Sequence, residues 1–313
     1  MIGTITLNPS VDIRYTVEDF LIGEVARVKE VERTAGGKGL NVSRVIRCVQ
    51  ESVKATGFTG GGSGSFIHRG VKDLGIIDAF VNIKGETRSC LNIISSNGSS
   101  TELLEPGPYV ESSALDVFSQ VYDNMLTECQ VITASGSLPL GLPENYYNDL
   151  ITRANEKNVK FLLDTSGESL KEALKAKPYF IKPNHEELEV IIGKKVTSQQ
   201  EIEEALDLIY QQGISFCVIS MGKEGSMAIV DGQKYRVTFP SIQAVNTVGS
   251  GDSYVAGIAV SLNRGYSVEE TLAFASACGT ANALECQTGF VQEELVEKLK
   301  KQVKVEKLKS FVS

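Results

Sequence analysis

The chain has 313 residues, of which 42% are hydrophobic and 22% charged, so it can bury a sizeable core in one large domain or two smaller ones without a disulfide or metal staple. Its net charge of −8 argues against nucleic acid or an anionic membrane as the main partner. Only His68 and His185 are available for a zinc site or a Ser–His–Asp triad, and the six cysteines form no CxxC pair, which reads as reduced thiols in the cytoplasm.

The first element, Ile2–Leu7, reads as a buried strand, with no basic region or long apolar run that would mark a signal peptide or membrane span. Asp12 follows it after Asn8-Pro9-Ser10. A carboxylate at the C-terminal edge of a parallel strand stands where such sheets bind ligands, although it could equally cap its own loop. Residues 11–33 lack helical period and are rich in β-branched side chains, so they predict strands of a small separate sheet. Thr34-Ala35-Gly36-Gly37-Lys38-Gly39-Leu40-Asn41 is a glycine-rich turn entering a helix over Leu40–Gln50. It lets a ligand approach the backbone, with Lys38 and Asn41 as donors. It is not a Walker A loop, because position 32 is Glu and Gly39 stands where Ser or Thr is required.

Val53–Phe58 reads as the next strand. Gly57–Gly64 fails the G-x-G-x-x-G spacing, since Ser65 occupies the third glycine position, and reads as a floppy strand–helix connection with no cofactor. Residues 80–104 again predict antiparallel strands of the small sheet, at Val81–Ile83, Cys90–Ile94 and Thr101–Leu104, with a tight hairpin at Asn97-Gly98. Such a sheet could be a lid, an oligomer interface or both. Arg88 lies in this region. Its guanidinium fork suits a phosphate dianion, although a lone strand arginine is more often solvated.

Helices over Ser112–Leu126, Glu144–Asn155, His185–Ile192 and Glu201–Gln212 alternate with strands at Val131–Ala134, Phe161–Leu163, Phe180–Ile181 and Phe216–Ser220. That rhythm predicts an α/β fold with a mostly parallel sheet covered by helices on both faces. Asn184 is placed to cap the helix at His185 with Glu187 three residues on. The same two side chains are hard oxygen donors that suit Mg²⁺ through water. Ser220-Met221-Gly222-Lys223-Glu224-Gly225 is another glycine turn after a strand.

The richest segment is Thr247-Val248-Gly249-Ser250-Gly251-Asp252, which runs straight into an apolar, small-residue helix. Free amides and positive partial charge at a helix N-terminus make an anion hole, and glycines let the anion reach it. A carboxylate repels phosphate there, so Asp252 reads either as a helix cap or as a base for an attacking hydroxyl.

Together these residues resemble the ribokinase-like carbohydrate kinases of the phosphofructokinase B family, over essentially the whole chain. The resemblance rests on Gly36-Gly37-Lys38-Gly39 and Val248–Gly257. Leu7–Asp12, Ser135-Gly136-Ser137-Leu138-Pro139, Asp164-Thr165-Ser166-Gly167 and Lys182-Pro183-Asn184 stand in the family's order. Within the family the chain is most similar to the tagatose-6-phosphate kinase and 1-phosphofructokinase branch. The resemblance implies Asp252 as the base and Gly249, Ser250 and Gly251 as the anion hole. It implies Asp12, Gly37, Lys38, Asn41 and Ser137 around the sugar, with Arg88 and Arg27 clamping its phosphate. Lys182, Asn184, Ser220, Gly222, Gly225, Thr247 and Asn282, near the adenine, would serve ATP, and Asn184 with Glu187 its Mg²⁺. It further implies a homodimer clasped through the small sheet (residues 11–33 and 80–104) and a main domain of residues 1–10, 34–79 and 105–313. The expected reaction takes D-tagatose 6-phosphate to its 1,6-bisphosphate. The alternatives are fructose 1-phosphate, fructose 6-phosphate, a free sugar or nucleoside, or a non-catalytic sugar-phosphate binder.

Overall fold

The structure is a computed structural model and describes residues 1–308. The chain opens with β1 (Ile2–Thr6), then forms the ribbon β2 (Ser10–Val17) and β3 (Val28–Gly36), and enters α1 (Lys38–Cys48) and β4 (Val53–Thr59). After α2 (Gly61–Asp73) come the short strands β5 (Ile77–Asp78) and β6 (Val81–Asn82) and the hairpin β7 (Arg88–Ser95) and β8 (Ser100–Leu104). Strand and helix then alternate through α3 (Ser112–Glu128), β9 (Val131–Ser135), α4 (Tyr146–Glu156), β10 (Lys160–Asp164), α5 (Gly167–Leu174) and β11 (Phe180–Ile181). Next are α6 (His185–Ile192), α7 (Gln199–Gln211), β12 (Phe216–Ser220), β13 (Ser226–Val230) and β14 (Gln233–Thr238). The last elements are α8 (Ser250–Arg264), α9 (Val268–Ala283), α10 (Glu293–Lys300) and β15 (Lys304–Lys307).

The large sheet has the order β15-β14-β13-β12-β11-β10-β9-β1-β4-β5, with β6 on β4. From β12 to β5 its pairs are parallel, and β13 to β15 close one edge antiparallel. Successive side chains leave a strand on opposite faces, so the parallel strands feed two cores. On β10, Leu162 packs toward α1, α8 and α9, while Phe161 and Leu163 pack toward α3, α4 and α7. This is the expected mostly parallel α/β fold with helices on both faces. The antiparallel edge was not foreseen in the sequence.

The second sheet, β3-β2-β7-β8, stands apart from the first. Its β7–β8 hairpin turns at Asn97-Gly98, with Gly98 at φ +82°. Two expectations need correction here. Val81–Asn82 does not join the small sheet; it pairs in parallel with Phe58–Thr59 of β4. The reason is burial, since Val81 sits in the same apolar cluster as Phe58 and Phe118, while Ala79 and Ile83 donate to carbonyls of β4 and cover its edge. Gly57–Gly64 is also no floppy connection. Gly61 starts α2, and the Glu86 carboxylate accepts from the amides of Gly62 and Ser63 at its N-terminus.

The two sheets meet at the C-terminal ends of the parallel strands. Ser135 ends β9, Asp164 ends β10, Lys182 follows β11 and Ser220 ends β12. This is where open α/β sheets carry their ligands.

Candidate active site

Two cavities lie on this rim. One, of about 580 Å³, opens between the small sheet and the strand ends and is bordered by Asp12, Gly37, Lys38, Asn41, Arg88, Ser137, Asp164, Gly249 and Asp252. The other, of about 550 Å³, is bordered by Ser220, Gly222, Gly225, Thr247, Ser250 and the apolar Val218, Phe239, Ile242 and Ala283. Lys182 and Gly251 border both, so the cavities meet at the N-terminus of α8.

That N-terminus is built by Gly249, which sits at φ +81° in the left-handed region. A Cβ there would stand 2.7 Å from Thr288 Cγ2 and 3.0 Å from the Gly289 amide, so only glycine fits. Among the described residues, the amides of Gly251 and Asp252 find no backbone or side-chain acceptor, and they leave an anion hole at the junction. Lys182 is nearly buried, and its amine lies 3.2 Å from where a Gly251 Cβ would stand.

The N-cap position of α8 belongs to Gly249, and Asp252 lies inside the first turn. Its buried carboxylate accepts instead from Asn41 Nδ2 at 2.9 Å. Burial, and after it the Asp164 charge, push its pKa up to about 6, against the pull of Lys38, the Asn41 amide and Lys182. The helix-cap reading therefore falls away, and what stands at the junction is a carboxylate titrating near neutrality.

The first cavity gathers side chains of both charges. Lys38 faces Asp164 at 3.8 Å, and that carboxylate holds the Lys38 ammonium above its ordinary range. Asp12 takes the Ser10 hydroxyl at 2.6 Å, and burial raises its pKa. Gly36 packs so tightly on Asp12 that a Cβ there would overlap its carboxylate at 2.0 Å. Arg88 reaches the cavity with fewer free donors than a solvent-facing arginine has. Its Nε and one terminal nitrogen donate to the Asn8 carbonyl at 3.2 and 3.0 Å, and the other donates to Glu105 O at 2.9 Å.

Several expected site residues lie elsewhere. Arg27 sits exposed on the turn between β2 and β3, outside both cavities, because that turn projects from the far end of the ribbon. Asn282 is fully buried and borders neither cavity. It donates to Val248 O at 2.9 Å and accepts from the Gly289 amide at 2.8 Å, so it braces the Gly249 turn from behind. Asn184 and Glu187 are committed to each other as a capping box, with Asn184 Oδ1 accepting from the Glu187 amide and Glu187 Oε2 from the Asn184 amide. Ser250 turns toward the second cavity and not the first.

Three residues whose sequence context carries no role of its own lie in or beside the site. Asp164 ends a parallel strand, the same signal that singled out Asp12. Arg14 on β2 pairs with Glu32 at 2.6 Å and donates to Cys286 O at 3.0 Å, tying the small sheet to the loop after α9. Arg44 is buried behind Asn41; nothing in the sequence distinguishes it from a solvated helix arginine.

The chain and its fold have known relatives. The model of the pfkB family of carbohydrate kinases matches residues 2–294. Tagatose-6-phosphate kinase of Staphylococcus epidermidis is 42% identical over 308 residues, covering 97% of this chain and 99% of that protein. The crystal structure of phosphofructokinase-2 from Escherichia coli in complex with substrates and products superposes with a TM-score of 0.88 at 27% identity, covering 96% of this chain and 98% of that one. Arabidopsis thaliana ribokinase complexed with ribose and ATP shares the fold, with a TM-score of 0.79 at 20% identity over 96% of this chain and 98% of that one. The match of that family model along residues 2–294, with a 42% identical relative along nearly the whole of both chains, identifies the chain as a member of the pfkB family of carbohydrate kinases, enzymes that transfer a phosphoryl group to a carbohydrate hydroxyl.

Proposed function

We propose that this enzyme uses ATP to phosphorylate a ketohexose phosphate, converting D-tagatose 6-phosphate to D-tagatose 1,6-bisphosphate. The observation that carries this reading is the meeting of the two cavities at Gly251, with Asp252 on the side of the first. The substrate follows from the 42% identity to a tagatose-6-phosphate kinase along nearly the whole of both chains.

In this reading the sugar phosphate occupies the charged cavity and the nucleoside the more apolar one. The sugar hydroxyl points at Asp252, which takes its proton as the oxygen attacks the γ-phosphorus in line. A base that titrates near 6 is ionised at neutral pH and still basic enough to accept a proton. The Gly251 and Asp252 amides and Lys182 face the equatorial oxygens, where charge builds up in the transition state. Asp12, Lys38, Asn41 and Ser137 hold the sugar, and Arg88 meets its existing phosphate with the donors not given to carbonyls. Ser220, Gly222, Gly225 and Thr247 line the nucleotide's path.

Mg²⁺ would screen the nucleotide's phosphate charge. Among the described residues no cluster of three or more metal-ligating side chains occurs. Glu187, whose Oε1 is free of its cap, acts on Lys38 through its charge and fits an ion that arrives with ATP and keeps its waters. A homodimer through the small sheet fits the exposure of Val28, Val31, Leu103 and Leu104 on its strands, and of Ile22 and Val25 on its turn. The free cysteines suit the cytoplasm.

Turnover of tagatose 6-phosphate, fructose 6-phosphate and fructose 1-phosphate, measured side by side by coupled ADP release, tests the assignment. The highest kcat/KM is expected for tagatose 6-phosphate. A clear preference for either fructose phosphate reassigns the substrate, and no ADP release with any of them overturns the sugar-phosphate reading.

A further inference from the structure

Arg44 borders neither cavity and is 5% exposed. Its guanidinium rests on neutral acceptors in three segments. One terminal nitrogen donates to Asn41 Oδ1 at 3.1 Å and to Thr288 O at 2.8 Å, and the other donates to Ala35 O at 2.6 Å. A buried cation held only by neutral groups weighs against folding unless opposite charge lies nearby. Burial works against the charge on Arg44, while the Asp12 and Asp252 carboxylates, neither of them in direct contact, work for it.

The consequence falls on Asn41. An amide side chain has one accepting end and one donating end, and arginine offers only donors. Arg44 therefore compels Asn41 to turn Oδ1 toward it, which leaves Nδ2 facing Asp252 at 2.9 Å. Asn41 is 7% exposed, so water is poorly placed to restore that orientation if Arg44 is lost. Without it only the ionised carboxylate holds the amide, which can then flip when Asp252 is protonated and accept the carboxyl proton with Oδ1, favouring the protonated acid.

We propose that Arg44 is a positioning residue for phosphoryl transfer: by locking the Asn41 amide with its donor toward Asp252, it sets the pH at which the base becomes ionised, while touching neither substrate. The proposal rests on Asp252 being the base. The charged groups facing Asp252 are Asp164 at the end of β10, Lys38 at the start of α1, Lys182 after β11 and Arg44 itself. Arg44 also faces Asp12 and Cys48, and Lys38 faces Glu187 on α6.

The test is the pH profile of kcat, with both KM values and the melting temperature, for wild type, R44M, R44K, N41A, the double variant R44M/N41A and D252N. Losing a charge-assisted donor to Asp252 should move the acid limb of R44M upward by about one pH unit. Both KM values should change only a few-fold. N41A should show the same shift, and the double variant no more than N41A alone. R44K keeps the charge but offers one nitrogen to anchors that two nitrogens now reach, so its midpoint should lie between wild type and N41A. R44K also keeps the test decisive if R44M does not fold. A wild-type midpoint in R44K, or in R44M with only a loss of melting temperature, overturns the proposal. So does a double variant whose shift is the sum of the two single shifts, because Arg44 would then act by charge alone. D252N with near-normal turnover sinks the base assignment itself, whereas a wild-type acid limb that the Arg44 variants leave unmoved sinks only the role of Arg44.

Discussion

Replacing Asp252 by asparagine should make the enzyme slower and the fold more stable. Asparagine nearly matches the carboxylate in shape and can still accept from Asn41, but it cannot take a proton. A lost general base costs ~10²–10⁴-fold in kcat, or roughly 3–5 kcal/mol of barrier. The stability effect follows from the environment of Asp252. In the unfolded chain its carboxyl ionises near the ordinary 3.8, and in the fold near 6. Between those values the folded state binds the extra proton, so stability falls as pH rises through this window. Above about pH 6 the ionised carboxylate carries the full penalty, about 3 kcal/mol for roughly two pKa units. Asparagine removes it. D252N should therefore melt several degrees higher than wild type at pH 8, with the difference closing toward pH 4. Coupled ADP release measures kcat and both KM values, and thermal unfolding at pH 4 and pH 8 measures the rest. A kcat within about tenfold of wild type would refute the base. A D252N protein less stable than wild type at pH 8 would refute the argument that the buried charge burdens the fold.

Two further outcomes follow from the same charges. Asp164→Asn removes the like charge that raises Asp252, so the acid limb of kcat should move to lower pH by roughly half to one unit. The sugar KM should rise at the same time, because Lys38 loses its partner; an upward move of the limb would contradict the electrostatic account. Arg88→Ala should raise the sugar-phosphate KM about 10- to 150-fold and leave the ATP KM unchanged, with Arg88→Lys recovering only part. Because Arg88 also holds the Asn8 and Glu105 carbonyls, the melting temperature must be followed alongside, and an unchanged sugar KM would move the phosphate clamp elsewhere.

The local features of this protein were written in its sequence. Alternating apolar runs and helical periods led to the two-faced parallel sheet, because strand and helix periods are properties of neighbouring residues. The capping box at Asn184 and Glu187 was legible for the same reason. So was the glycine-rich approach to Asp252, since an exposed helix N-terminus needs nothing distant to bind an anion.

What the tertiary structure decided were the relations between segments far apart in the chain. Val81–Asn82 has the alternation of a small-sheet strand, yet burial beside Phe58 and Phe118 assigned it to the large sheet. Arg27 lies in a segment with strand character, but its turn carries it away from the cavities. Asn282, which the resemblance put near the adenine, braces the Gly249 turn from behind. Asp252 read as cap or base until folding placed Asp164 near it and Asn41 against it, from residues 88 and 211 positions away. A carboxylate's proton affinity depends on burial and on the charges within a few ångströms, and only the packed fold brings those together.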